Sequence, residues 1–546
     1  SLPPCFLVFP HRLCYDKKHN EEGGTHFMEK LVKTCRSALF LFLFVVFTKL
    51  FLDVLQQDSL ERSAFSIFLK AFLLLVVIIV YITLFKLLQH FTPVWERYGS
   101  YILPFFLVLL FGVQMYFAHQ LIIVPKYDFS SLYDGAVEWL NTGTFASFYD
   151  YYYYYPNNLG PMTFLYVLFR VVSRLGYHDY YRVGIFVTCL LTSVMVASTY
   201  YCCKKLFSAT EALFSLCLFA IYPPLYFCGS SFYTDILSMA FPPLVFALFL
   251  AGSDHLQAFC PECDELKLKE AVSQKSSKKA FTATKSTYDF LMVLACYVGY
   301  FLKPTVFICM IAIFIVLLLQ KNRRRFLTLL AETLLVFGVC TILFHSYIYS
   351  HHLDKTTADR MATPKETWVM MGLNENFGFS PDDTEFSRSF TDPAARKEAV
   401  RTEIQNRLSA LGAKGIYKQL RLKAVMAFAD GTFELSYMFL FGLARDTGLT
   451  DFLTLLGSHY QAYWEGCSLP QYANLFFTAV FLFFCAKAVF QKKEQPAVLL
   501  IVPLSVCGLM LFLMLWEVHP RYTINYFSYL IMLATWGCSR AAVKRR

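Results

Sequence analysis

Long apolar runs recur through almost the whole chain, and they restrict what it can fold into more than any single motif does. The stretches AFLLLVVIIVYITLF (71–85) and PTVFICMIAIFIVLLLQ (304–320) hold no charged residue, and comparable runs follow one another to the end. Over 546 residues, 57% are hydrophobic and 16% charged, with a mean hydropathy of +0.46. That leaves too little polar surface to cover a soluble globule, so the chain is an integral membrane protein. The runs are too long for barrel strands, and backbone groups in lipid must be satisfied within the protein, which leaves helices. The expected fold class is an all-α polytopic membrane protein with about 12 transmembrane helices and two large extracytoplasmic regions. The spans are expected at 37–54, 64–89, 101–124, 181–203, 209–228, 233–251, 288–302, 304–320, 326–346, 471–490, 497–516 and 522–539.

Loop charges orient these spans, because Lys and Arg near helix ends stay on the cytoplasmic side. With both termini inside, one side collects Lys30, Lys33 and Arg36, Lys204 and Lys205, and the run Lys267, Lys269, Lys275, Lys278 and Lys279. The same side takes Lys321 and Arg323 to Arg325, Lys492 and Lys493, and Lys544, Arg545 and Arg546. Topology therefore accounts for most of the net charge of +10, and no nucleic-acid partner is implied. The sequence divides into a cytoplasmic segment 1–36, two additional helices within 37–100, a core at 101–346 with a first outer loop 125–180, a lid-like outer region 347–470, and C-terminal helices with a basic tail at 471–546. Met28 reads as a natural cytoplasmic start, with residues 1–27 expected to be disordered or poorly packed, and no cleavable signal is apparent.

Most of the 17 cysteines lie in apolar stretches, where Cys behaves as a small hydrophobe. The exception is His255 with Cys260 and Cys263, three potential ligands in a cytosolic loop where a structural zinc needs four. No metal site is assigned there.

Chemistry is expected in the two outer regions. Asp128 lies just past the third span and opens DFSSLYDGAVEWLNTGTFASFYDYYYYYPNNLGP. Downstream, GPMTFLYVLFRVVSRLGYHDYYR is interrupted by Arg170 and Arg174 on successive turns and reads as an amphipathic helix in the outer interface. In the second region, Asn374 to Gly378 looks like a turn-rich binding loop, and Asp392 before Pro393 is a helix N-cap with Pro at N1.

An Asp after a helix in the first large outer loop, followed by Tyr133 and Ala136, the YPNN segment, GSSFYTD (229–235) and HPRYTINYFSYL (519–530) together resemble the polytopic glycosyltransferases of the C-type fold. The resemblance is to bacterial relatives of protein O-mannosyltransferases and aminoarabinose transferases, and it covers most of the chain after about residue 100. Two extra amino-terminal spans depart from the pattern, as does Phe129, where many relatives carry a second acidic residue.

The resemblance implies transfer of a sugar from a polyprenyl-phosphate donor to a protein, lipid or glycan acceptor at the outer face of a bacterial plasma membrane. The displacement would invert the anomeric centre and be metal-independent or metal-assisted, so a divalent metal is compatible but not required. The acceptor hydroxyl loses a proton as it attacks, and Asp128 is the candidate base, with Asp134 and Asp150 in reserve. The competing role for Asp128 is to cap its loop or pair with Lys126, and the base is the favoured reading. A leaving lipid phosphate needs a cation, and Arg521 or Lys303 fits, unless each only snorkels or packs. Candidate substrate contacts are Tyr133, Tyr155, Asn157, Asn158, Asp235, Glu517, His519 and Tyr522, although tyrosines also anchor at membrane interfaces. The alternatives are a transporter or flippase of envelope precursors and a non-catalytic scaffold. Charged residues cluster at span ends, with Glu332 and Lys70 as exceptions, no repeat is visible, and polar mass is concentrated in the two outer loops, which favours the enzyme.

Overall fold

A computed structural model describes residues 12–59, 64–253, 278–440, 443–444, 446–491, 493 and 495–542. The segment with His255, Cys260 and Cys263 lies outside the described residues, as do Lys267, Lys269, Lys275, Lys492 and the final Lys544 to Arg546. Among the described residues the chain is helical without a β-strand, and the sole extended pairing is an isolated antiparallel bridge between Ile123 and Leu443.

The first half runs α1 (Arg12–Ser59), α2 (Ala64–His90), α3 (Thr92–Gln120), α4 (Tyr127–Thr142), α5 (Tyr149–Tyr154), α6 (Leu159–Arg174), α7 (Tyr180–Leu206), α8 (Ala209–Ala220) and α9 (Thr234–Ala251). After the undescribed loop come α10 (Lys278–Leu302), α11 (Pro304–Leu319) and α12 (Arg323–His351). The second outer region is built from α13 (Lys355–Met361), α14 (Glu366–Met371), α15 (Pro381–Arg388) and α16 (Pro393–Ala429). Then α17 (Tyr460–Phe490), α18 (Ala497–Leu515) and α19 (Phe527–Ala542) close the bundle.

Among the described residues eight helices are long and apolar enough to cross a membrane: α1, α2, α3, α7, α9, α12, α17 and α18. Helix α8 and the turn Pro224–Ser230 make a ninth if the pair, bent by 65°, is one span. About twelve spans were expected, and the remaining three correspond to α10, α11 and α19. Helix α11 is shorter than a bilayer crossing, and α10 carries Lys285 and Asp289 in its first half. Helix α19 has only 16 residues, and every residue from Phe527 to Ser539 is buried, so it is wrapped by other helices instead of lipid. Helix α1 is described from Arg12, upstream of Met28 and within the segment 1–27 expected to be disordered or poorly packed; no proline interrupts it.

Burial separates core helices from the rim. In its most apolar window α9 is 83% buried, whereas α12 is only 11% buried and α2 and α3 are 17% buried. Helix α17 packs along α19 and α1, α9 along α10, and α3 along α7. Side-chain caps start several helices at the expected residue types: Asp179 before α7, Ser208 before α8, Asn322 before α12 and Ser380 before α15. Asp392 caps α16 as expected, accepting from the Ala395 amide at 2.7 Å with Pro393 next to it. Helix α16 breaks at Gly412, whose φ of 58° and ψ of 177° are not helical.

Two differences from the sequence reading position the site. Helix α3 starts earlier and stops at Gln120, so residues 121–126 form an extended connector that includes Pro125. Asp128 then falls in the first turn of α4, where the positive end of the helix dipole favours a carboxylate. The carboxyl ends of α3, α10 and α18 and the amino ends of α9 and α19 all meet at this end of the bundle.

Candidate functional site

Asp128 is exposed, and two tyrosines hold its carboxylate. Tyr151 on α5 donates to Oδ1 at 2.9 Å, and Tyr233, immediately before α9, donates to Oδ2 at 3.1 Å. Tyr151 in turn accepts from Asn158 Nδ2 at 2.5 Å, and Asn157 donates to Asn158 Oδ1 at 3.1 Å. Burial, then the nearby Asp128 charge, pushes the phenols of Tyr151 and Tyr233 well above their usual range, so both stay protonated as donors.

Asp128 and Tyr151 both line an open cavity of about 550 Å³. One wall is Tyr127, Asp128 and Ser131 of α4 with Tyr151 and Tyr155. The opposite wall is Phe379 with Pro381, Thr384, Glu385 and Arg388, which recur at i, i+3, i+4 and i+7 on α15 and so form one helix face. The Arg388 guanidinium lies 3.8 Å from the Tyr154 ring centroid and donates to Tyr155 Oη at 3.2 Å. Behind Tyr155 come Trp368, at 6.3 Å between centroids, and Trp516, stacked on Trp368 at 5.6 Å.

Tyr233 stands between Asp128 and a second cluster, since the Arg521 and Asp235 charges act on its phenol as well. Lys303, between α10 and α11, hydrogen-bonds Asp235 and lies 4.1 Å from the Tyr522 ring centroid. Arg521 Nε is 3.7 Å from Asp235 Oδ2, and its Nη1 donates to Glu434 Oε2 at 3.0 Å. His519 Nδ1 is 3.0 Å from Glu434 Oε1, and Tyr522 donates to Glu517 Oε1 at 2.7 Å. Burial alone would push the Glu434 carboxyl up, but the His519 hydrogen bond and the Arg521 charge outweigh it and hold the group below its usual range. Glu517 is 6% exposed, and its Oε2 is buried without a hydrogen-bond partner.

Backbone strain gathers here as well. Among the described residues five non-glycine residues have positive φ, and four border these two compartments: Tyr127 (52°), Phe377 (59°), Phe433 (53°) and Glu434 (57°). Each costs on the order of 1–3 kcal/mol and persists only where surrounding structure over-determines it. For Phe377 that support is the Val518 amide donating to its carbonyl at 2.8 Å. For Glu434 it is the Asp430 carboxylate, which accepts from the Thr432 and Glu434 amides at 2.8 and 3.1 Å.

Of the residues singled out in the sequence, Asp128, Tyr155 and Asn158 meet at the cavity side, with Asn157 attached through Asn158. Asp235, Lys303, Glu517, His519, Arg521 and Tyr522 meet in the second cluster. The other three lie elsewhere. Tyr133 packs its edge on Phe169, Tyr181 and Phe232, and burial followed by the Asp134 charge pushes its phenol up to about 12. Asp134 accepts from Ser130 one turn back at 2.5 Å, and Asp150 is exposed. The sequence reading did not single out Tyr151, Tyr233, Glu434 or Arg388. Tyr151 is one of a run of tyrosines, Tyr233 sits inside the quoted segment GSSFYTD, and Glu434 sits in ADGTFELSY (429–437), each without a distinguishing neighbour. Only the i, i+3, i+4, i+7 spacing on α15 could have marked Arg388. Among the described residues no three His, Cys, Asp or Glu side chains converge in a way that could hold a metal ion.

A family model described as conserved hypothetical integral membrane protein matches residues 25–542, nearly the whole chain. The chain belongs to that family. Membership agrees with the helical, membrane-crossing architecture and assigns no chemistry. No curated protein matches the chain. Among solved structures it is similar to the archaeal oligosaccharyltransferase AglB from Archaeoglobus fulgidus, in complex with an inhibitory peptide and a dolichol-phosphate. The identity is 11% and the TM-score 0.38, over 81% of this chain and 50% of that one. The chain therefore spans half the length of that enzyme, and at this TM-score the likeness bears on neither mechanism nor substrate.

Proposed function

We propose that this chain is a membrane glycosyltransferase with a C-type-like fold that moves a sugar from a polyprenyl-phosphate donor to an acceptor at the outer face of the membrane. The observation that carries the reading is the position of Asp128. Its carboxylate lines an open aromatic cavity and accepts from Tyr233, which borders a half-buried cation cluster. An acceptor hydroxyl in the cavity attacks the anomeric carbon; its oxygen–carbon bond forms as the bond from that carbon to the phosphate oxygen breaks. The electron pair leaves with the lipid phosphate, and the hydroxyl proton passes to Asp128. Tyr151 and Tyr233 orient the carboxylate and leave its remaining lone pairs for that proton.

Lys303 and Arg521 are the cations for the leaving phosphate. In the structure they are paired with Asp235 and Glu434, so a lipid phosphate competes with these carboxylates for them. The second outer region, through α15, serves as the lid that closes the cavity over α4 and α5. The basic loops and both termini lie on the opposite, cytoplasmic side.

The test is turnover of radiolabelled polyprenyl-phosphate sugars by purified protein, with and without EDTA. Asp128→Asn is expected to lower kcat at least 100-fold, within the range attributed to a positioned base, while donor affinity stays within about threefold. Turnover at the wild-type rate by that variant would remove Asp128 from the mechanism.

A further inference from the structure

The cavity between α4, α5 and α15 carries more information than a base requires, because its far wall has chemistry of its own. Tyr127, Tyr151, Tyr155 and Phe379 supply aromatic faces, and between them stand two carboxylates, Asp128 and Glu385, one guanidinium, Arg388, and the hydroxyls of Ser131 and Thr384. About 550 Å³ falls within the roughly 300–1,000 Å³ of small-molecule sites.

Charge narrows the occupant. An anionic ligand would face two carboxylates against one guanidinium. An ammonium-bearing ligand would meet those carboxylates but would also stand against the Arg388 guanidinium in the same wall. A lipid chain would have to desolvate Asp128, Glu385 and Arg388 without bonding them. A neutral polyol avoids all three conflicts. Vicinal hydroxyls can bridge the two oxygens of a carboxylate or two nitrogens of a guanidinium, and the C–H faces of a sugar ring suit flat aromatic walls. Glu385 and Arg388 are three residues apart on the face of α15 that forms the wall, so they can grip neighbouring hydroxyls of one ring while Asp128 meets a hydroxyl at the other side.

We propose that this cavity binds a neutral sugar ring of the acceptor, so that the acceptor is a glycan, with Glu385, Arg388 and Phe379 as its specificity-determining contacts. The inference rests on the glycosyltransferase reading but assigns the cavity to the acceptor and the Lys303/Arg521 side to the donor.

The test is calorimetric titration of the full chain in lipid nanodiscs with neutral trisaccharides of glucose, mannose and N-acetylglucosamine, and with a serine-rich decapeptide. At least one trisaccharide is expected to bind. Glu385→Gln and Phe379→Ala should each weaken it at least tenfold, and Glu398→Gln, exposed on α16, should leave it unchanged. Glu385 is exposed, so its variant reports on binding even if Phe379→Ala perturbs the fold. Peptide binding in place of sugar binding overturns the proposal, as does sugar binding indifferent to Glu385 and Phe379. If no trisaccharide binds while the protein still releases sugar from a polyprenyl-phosphate donor, the glycan assignment fails and the transferase reading stands. If neither occurs, both fail.

Discussion

Lys423, on α16, is 2% exposed, and its Nζ bonds main-chain oxygens instead of a carboxylate: the carbonyls of Met514 at 2.9 Å and Trp516 at 2.5 Å. These carbonyls lie at the carboxyl end of α18, where a helix leaves acceptors without partners and its dipole favours a cation. Burial pushes the ammonium down to about 8, partly offset by the Glu517 charge. Since the folded pKa is below the ordinary 10.5, the folded protein gives up this proton first. Between pH 8 and 10.5 the unfolded chain holds more protons, and stability rises with pH across that window. A shift of this size is worth on the order of 3 kcal/mol. Thermal unfolding in detergent from pH 7 to 10 is therefore expected to show a rise in the wild type that Lys423→Met lacks; parallel curves would refute the assignment. Legibility in the sequence was uneven at this scale. Asp128, Lys303 and Arg521 could be singled out because each is charged, near a span end and on one side by parity. Tyr151, Tyr233 and Glu434 could not, because what distinguishes them is a hydrogen bond to a residue distant in the chain; Tyr233 and Asp128 are 105 positions apart.

At the scale of elements, the site depends on how the loop after α14 sits against the end of α18. A Cβ added at Gly372 would lie 2.5 Å from the Trp516 carbonyl oxygen and 2.8 Å from Lys423 Nζ, so the loop approaches that closely only because the residue is glycine. Gly372→Ala is expected to cost about 1–3 kcal/mol through overpacking. It should also loosen the bond from the Val518 amide to the Phe377 carbonyl, and with it Phe379 and α15. The expected readout is a lower melting temperature with faster proteolysis across residues 372–392, while cleavage elsewhere is unchanged. A melt and digest identical to wild type would show that the contact relaxes at no cost. The sequence marked this segment as a turn-rich loop and placed the cap at Asp392 correctly. It did not show that residues 381–388 would form the cavity wall, since α15 has only eight residues and its partners are on α4 and α5.

At the scale of the molecule, topology is the testable consequence. Asn376, in the second outer region, and Arg323, at the start of α12, are both exposed and belong to opposite sides in the proposed arrangement. Among the described free cysteines only Cys35 is exposed, and Cys5, Cys14, Cys260 and Cys263 are not among them, so a background with all five changed to Ser suits labelling. Asn376→Cys should react with an impermeant maleimide added outside intact cells and Arg323→Cys only after permeabilisation; labelling of both from one side would overturn the arrangement. Membrane class, helical fold and approximate span positions followed from sequence, because the cost of unpaired backbone in lipid acts locally and is written in apolar runs. Which helices face lipid did not follow, since α19 is as apolar as a lipid-facing helix yet is enclosed by protein. The convergence of Asp128, Tyr233, Arg388 and the Lys303/Arg521 cluster at one end of the bundle was decided by tertiary packing alone. Residues brought together from α4, α5, α9, α15 and the segment before α19 share no local spacing, and only the packing of those elements sets which of them face one another.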